Sequence, residues 1–276
     1  MAARLPMDIH SHSEHSVDGS IPVDQMCEAA LGMGVSVYAI TDHYDISYGQ
    51  EDFSRLDEDL ENSIRDILSA KKRFQPGLTL LTGIELGQPI ACPEKSEEIL
   101  GKYPFDFVLG SLHNPPGGMD LYEYDPDNVN HRLDHELETY FIYLLEMIRW
   151  GGFDSAAHLT YPFRYVLQHH PDYPFGRWDD YLEAAVKLLA EKGLGLELNT
   201  SGVTRQPPHT LPDARWVKRF REFGGEKLTL GADAHRPQRV GSGIPEGVRI
   251  ACDAGFSYLC WFAGRKPQYL KLSKED

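Results

Sequence analysis

Six histidines and several carboxylates recur in this sequence at short spacings that suit metal chemistry. His10 and His12 stand in Asp8-Ile9-His10-Ser11-His12, His43 in Thr41-Asp42-His43, and His113 in Ser111-Leu112-His113. His158 follows Ala157, and His235 closes Asp233-Ala234-His235. Asp18 and the Glu85 of Gly83-Ile84-Glu85 lie among them. Imidazole combined with carboxylate suits Zn, Fe or Mn, and so many donors suggest more than one ion. In a strand, residues i and i+2 face the same side, so His10 and His12 are expected to grip one cation.

Those residues gain meaning from the elements that must carry them. Apolar bursts of strand length fall at 7–12, 37–42, 79–85, 107–112, 155–159, 194–199 and 229–232. Between them, Leu133, Leu137, Tyr140, Phe141, Leu144 and Ile148 follow helical spacing, as do Leu182, Ala185, Val186 and Leu189. Strand–helix alternation of this length implies a parallel sheet, either closed into a barrel or doubly wound. The six histidines sit at or just past the carboxyl ends of the expected strands, where an α/β barrel assembles its active site. No Ser/Gly linker or repeat interrupts the pattern, so residues 1–276 are read as one domain. The longest irregular stretch, 114–130, is expected to be a flap on the substrate side.

Composition narrows the partners. Twenty-seven Lys and Arg against 42 Asp and Glu give a formal charge of −15, which argues against duplex DNA or an anionic membrane surface. A hydrophobic content of 41%, with 14 Tyr and 12 Phe, is ample for a core. Cys27, Cys92, Cys252 and Cys260 show no CxxC spacing, so free thiols are expected. The absence of a signal-like apolar core and of a long apolar run points to a cytoplasmic protein with no membrane partner. Of the remaining histidines, His131 and His135 are expected to face solvent, and His169, His170 and His209 to lie at the surface. His15 is expected to touch substrate rather than metal.

The series DIHSHSEHSVDGS, ITDH, GIELG, GSLHN, AHLTYPFRY, ELNTSG and GADAHRP, running from about Met7 to the end, resembles the polymerase and histidinol phosphatase (PHP) family. The last two motifs resemble its stand-alone histidinol phosphatase branch in particular. The resemblance implies an α/β fold, a distorted (β/α)7 TIM-like barrel, with three divalent ions (Zn, Fe or Mn). By that resemblance His10 and His12 would hold the first ion with Glu85 and Asp233. Glu85 would bridge to a second ion held by His113 and His158, and Asp18, His43 and His235 would hold the third. Asp42 is expected behind these ligands, orienting an imidazole. No ligand position is missing, which weighs against a purely structural module like the PHP domains embedded in bacterial polymerases.

Adjacent divalent ions lower the pKa of bound water and neutralise phosphate oxygens, which is what phosphate ester hydrolysis needs. A hydroxide bridging the ions is expected to attack phosphorus in line with the departing alcohol, with no phosphoenzyme. Consistent with that, the chain has neither a Cys-x5-Arg loop nor a DxDx[TV] motif. Glu85, Asp233 and His235 are the catalytic candidates at the centre. Arg164, six residues after His158, and Arg205, six after Asn199, resemble substrate-contacting arginines of the branch, and an arginine fork suits phosphate. Arg236 divides between a substrate contact and a helix start. The expected reaction is hydrolysis of L-histidinol phosphate to L-histidinol and phosphate, in histidine biosynthesis. The alternative is another small phosphate ester, such as a nucleotide or short oligonucleotide; a small phosphorylated metabolite is the expected partner, and long nucleic acid is not.

Overall fold

Short runs of Val, Ile and Leu with little polar interruption fold as strands covered on both faces, the condition of a parallel sheet. In the computed structural model, which describes residues 5–117, 119–128 and 132–272, these runs form β1 (Leu5–Asp8), β2 (Val35–Ile40), β3 (His43–Asp45) and β4 (Thr79–Gly87). They continue as β5 (Phe107–Ser111), β6 (Ser155–Ala156), β7 (Gly195–Asn199) and β8 (Leu228–Gly231). Every residue of β5 and β7 is buried. The strands pair in parallel in the order β1-β2-β4-β5-β6-β7-β8, with β3 beside β4, giving a sheet nearly closed into a barrel.

The seam between β1 and β8 is bridged rather than laddered. Ile9 N donates to Leu230 O at 3.0 Å and His12 N to Ala234 O at 2.9 Å. The buried Asp8 carboxylate accepts Ala232 N and Gly241 N, each at 2.8 Å. Burial pushes the Asp8 carboxyl up to about 6, against the pull of those two amides and of His10.

Helices α1 (Val23–Gly32), α2 (Ser54–Phe74), α3 (Pro93–Lys102) and α4 (Leu133–Trp150) alternate with the strands. So do α5 (Tyr161–His169), α6 (Asp179–Lys192), α7 (Ala214–Glu222) and α8 (Ile244–Asp253). In α2 the buried Leu60, Ile64 and Ile67 recur every three or four residues, while Lys71, Lys72 and Arg73 fill the last turn, where cations favour the helix dipole. No helix among the described residues is long and apolar enough to cross a membrane.

Three sequence expectations shift. β1 ends at Asp8, so His10 and His12 lie past the strand, in a run tied to the opposite edge by the bridge of Ser11 to Ala234. The reason is the seam: there β1 has β8 as its neighbour only through isolated bonds, and ladder pairing stops. His43 opens β3 instead of trailing β2, because the long β4 offers it a partner in register at Glu85. The expected pattern also lacks the antiparallel hairpin β9 (Tyr258–Ala263) and β10 (Lys266–Lys271). Its outer strand is almost wholly solvent-facing, so it carries no apolar burst. His135 is exposed as expected, while His131 lies outside the described residues.

That hairpin closes the barrel at the amino ends of the strands. Gly264 and Arg265 both have positive φ, 54° and 61°, the geometry of a tight two-residue turn. Gly264 N donates to the Asp106 carboxylate at 3.0 Å, and Phe262 stacks on Phe107 with centroids 5.4 Å apart. The Arg265 guanidinium reaches the buried Asp154 carboxylate at 3.1 Å and Gly152 O at 2.8 Å. Removing that cation leaves a buried carboxylate unpaired. Arg265→Ala is therefore expected to cost about 2–3 kcal/mol in urea unfolding, the partial exposure of Arg265 keeping it below the fully buried case. A loss under about 0.5 kcal/mol, typical of an ordinary surface site, contradicts this role.

Candidate metal centre

The carboxyl ends of the strands bring histidines from four separate segments onto one carboxylate. Glu85, on β4 and fully buried, has Oε2 at 3.0 Å from His10 Nε2, 3.3 Å from His12 Nε2 and 3.2 Å from His43 Nδ1. Its other oxygen, Oε1, lies 2.8 Å from His158 Nε2 and 3.3 Å from His113 Nε2. Asp233 closes the other side, with Oδ1 at 3.7 Å from His10 Nε2 and 3.5 Å from His12 Nε2. Asp18, the most exposed of the set, reaches His235 Nε2 at 2.9 Å and His43 Nε2 at 3.7 Å. The sequence-predicted ligands thus converge as one cluster of nine residues.

The donor chemistry fits divalent cations. Four overlapping trios each hold ligand atoms within 4.8 Å of one another: His12 with His43 and His235; His10 with Glu85 and His158; His10 with His12 and Asp233; His43 with Glu85 and His113. Several of these atoms are buried without a hydrogen-bond partner: His12 Nε2, His43 Nδ1 and His235 Nε2. Each has an acid within 3.3 Å, but out of line for a hydrogen bond. His113 Nε2 and His158 Nε2 face each other at 3.4 Å. Nitrogens aimed at the same space as carboxylates, without bonding them, are what a shared cation requires.

The two central carboxylates are held ionised. Burial opposes ionisation of Glu85, but the imidazoles of His43 and His10 outweigh it and hold its pKa well below the usual carboxylate range. Asp233 is likewise held low, with His10, His12 and Arg164 outweighing burial. Burial, then the neighbouring His235 and His43, push His12 down to about 3, so it stays neutral and able to ligate. Backbone strain is concentrated here too: Asp233 and His158 have φ of 52° and 24°, outside the comfortable range for residues with a Cβ.

Behind the ligands sit residues that sequence reasoning missed. Glu197 on β7 takes His10 Nδ1 at 2.6 Å with one oxygen and His158 N at 2.7 Å with the other. Asp45 faces His113 Nδ1 at 3.3 Å. Asp42, expected to orient an imidazole, meets His12 through Ser16, whose hydroxyl donates to Asp42 at 2.8 Å and sits 3.0 Å from His12 Nδ1. Two motif glycines make room for these acids. A Cβ on Gly231 would stand 2.5 Å from Glu197 Oε1 and 2.3 Å from His10 Cβ, and one on Gly87 would stand 1.6 Å from Asp45 Oδ1. An acid inside an apolar strand, as in Gly195-Leu196-Glu197-Leu198-Asn199, was the available signal for Glu197.

A cavity of about 850 Å³ opens over the cluster, lined among others by Asp120, Tyr161, Arg164, Arg205, Arg236 and Arg239. Arg164 is buried and donates through Nη2 to Ser201 Oγ at 2.6 Å and Asp233 Oδ2 at 3.0 Å, while its Nε has no partner. His15 is not brought to this cavity. Its Nε2 lies 2.9 Å from Asp66 on α2, which draws the ring away from the proposed substrate contact. His209 and His170 bond Pro207 O and Tyr124 OH, away from the cluster.

A family model described as PHP domain matches residues 8–201, well over half of the chain. The chain belongs to that family. A probable histidinol-phosphatase of Thermotoga maritima is 27% identical over 96% of this chain and 99% of its own length. A histidinol-phosphatase of Lactococcus lactis subsp. lactis is 25% identical, covering 98% and 99%. Among solved structures, histidinol phosphate phosphatase of L. lactis, complexed with zinc, L-histidinol and phosphate, superposes with a TM-score of 0.83 at 22% identity, over 96% of this chain and all of that one. A putative histidinol phosphatase of Listeria monocytogenes superposes at 0.71 with 19% identity, over 87% and 99%. These structures share the barrel.

Glu197 bonds His10 and His158 of the cluster, and Asn199, but does not itself line the cavity, so its charge is expected to act mainly on metal binding. Glu197→Gln is expected to weaken divalent-metal affinity about 10–100-fold, read by competition with a chelating dye. Wild-type affinity in the variant contradicts that role.

Proposed function

We propose that this protein is a metal-dependent phosphatase that hydrolyses L-histidinol phosphate to L-histidinol and phosphate, a step of histidine biosynthesis. The observation that carries the proposal is the buried Arg164, with an unpartnered Nε and an Nη2 bonded to Asp233, the acid that closes the histidine cluster around Glu85. A buried N–H donor without an acceptor in a cavity wall is a place for an oxyanion. The full-length similarity to histidinol-phosphatases supports the choice of ester. The cavity volume suits a small phosphorylated metabolite.

In this reading His10, His12, Asp233 and Glu85 would hold one divalent ion, Glu85, His113 and His158 a second, and Asp18, His43 and His235 a third. When bound, such ions acidify water and offset the negative charge of a phosphate ester. The chain's own residues do the remainder. Arg164 and Arg205 bind phosphate oxygens; Arg164 is held in place by Asp233 and Ser201, so little motion is lost when the ester enters. Glu197 and Ser16 hold the imidazoles of His10 and His12 in one orientation. A single domain spanning the chain, working in the cytoplasm, is consistent with four free cysteines.

Phosphate release from the metal-loaded protein tests the substrate. Histidinol phosphate is expected to exceed nucleoside monophosphates and sugar phosphates in kcat/KM by about tenfold or more, since polar groups left unpaired by the wrong ester lower its turnover. A preference for nucleotides contradicts the substrate while leaving the hydrolytic centre in place.

A further inference from the structure

Arg239 lines the cavity and meets no carboxylate among the described residues. The protein is acidic, and most of its surface arginines are ion-paired: Arg215 with Asp179, Arg219 with Glu183, Arg249 with Glu246, Arg177 with Asp134. Arg239 instead gives its donors to neutral acceptors on the neighbouring loop. Nη1 donates to Thr204 Oγ1 at 2.7 Å and Nη2 to Ser201 O at 3.3 Å. It sits at the end of a short 3-10 turn, Pro237–Arg239, one turn beyond His235 on the loop that follows β8.

The loop it grips follows β7 and carries Ser201 and Arg205, which line the cavity. Ser201 Oγ accepts from Arg164 Nη2 at 2.6 Å and donates to Asn199 Oδ1 at 2.6 Å. Arg205, four residues on, lines the cavity, is exposed, and has no carboxylate partner among the described residues. The inner half of the loop is anchored through Thr200, whose hydroxyl donates to Ser242 O at 2.6 Å. Further out, Arg205 N is held only by a turn bond to Gly202 O at 3.0 Å. The Arg239 bond to Thr204 is what ties this outer half to the β8 loop. Arg239 is also close enough to Arg205 that, after burial and with Arg164, its charge pushes the Arg205 guanidinium below its usual value.

We propose that Arg239, through Thr204 and the Ser201 carbonyl, is a positioning residue that sets the spacing of Arg205 from Arg164 and so the fit of the cavity to a phosphate group. The inference rests on the phosphatase reading above and deepens it. Arg239 bonds none of the nine clustered ligands, so it acts on binding of the oxyanion and not on metal content. The fork matters here: a guanidinium reaches a hydroxyl and a carbonyl at once from one rigid plane.

A double-mutant cycle on the metal-loaded protein separates positioning from plain charge. Inorganic phosphate binding is measured by calorimetry for wild type, Arg239→Met, Thr204→Val and the double variant, with metal content checked in each. Thr204→Val removes the acceptor and leaves every charge in place. The expected result is a phosphate Kd raised several-fold by each single change, with the double variant no weaker than Arg239→Met. With histidinol phosphate, KM rises in parallel while kcat stays within about twofold. Wild-type affinity in Thr204→Val, or losses that multiply in the double variant, overturn the positioning role. No turnover of histidinol phosphate by wild type, with phosphate binding and the cycle intact, contradicts the substrate alone. No phosphate binding by wild type overturns both.

Discussion

A buried carboxylate faced by five imidazoles is a costly arrangement that only a particular chemistry makes stable. Glu85 has no solvent to share its charge, and its two oxygens lie within 3.3 Å of nitrogens of five histidines on four different segments. An imidazole nitrogen without a proton turns a lone pair, not a donor, toward such an oxygen. Cations placed between the oxygens and nitrogens turn those opposed dipoles into shared coordination. The rest of the molecule can be understood as the apparatus that keeps these groups from relaxing apart.

That apparatus has two parts. One is the barrel, whose parallel strands deliver Glu85 from β4 and the histidines from loops on one end. Its weakest join, between β1 and β8, is also where His10, His12, Asp233 and His235 meet, so the cluster spans the seam that the ladder leaves open. The other is the layer behind the ligands. Glu197 ties His10 to the backbone before His158, and Asp42 gathers Ser13, Ser16 and Ser63 within 2.8 Å, fixing the loop that carries His12 and Asp18. Gly231 and Gly87 exist in this scheme as absences of a Cβ, letting an acid pass close to the backbone.

Much of this was legible from residue order because histidines at successive strand ends must share one face of a barrel. The seven apolar bursts each overlap an observed strand, and the nine acids and imidazoles picked in or after them come together. What stayed hidden has a physical reason in each case. Glu197 meets His10 across 187 residues of chain, and a lone acid in a strand does not announce a partner so distant. His15 sits beside the metal motif in sequence, yet Asp66 on α2 is the nearer charge. The hairpin that floors the barrel escaped because β10 shows solvent nearly all its side chains and so lacks an apolar signature. Arg239 escaped because a cation bonded to a hydroxyl and a carbonyl leaves no pattern of charge in the sequence.

The account stands on Glu85 holding cations in common with its imidazole neighbours, and elemental analysis of Glu85→Gln addresses that most directly. The amide keeps the size of the side chain and one acceptor but loses the charge. Wild-type protein purified with divalent metal is predicted to carry more than one ion per chain, and Glu85→Gln, still folded by circular dichroism, to retain about one at most. Equal metal content in the two proteins contradicts the account.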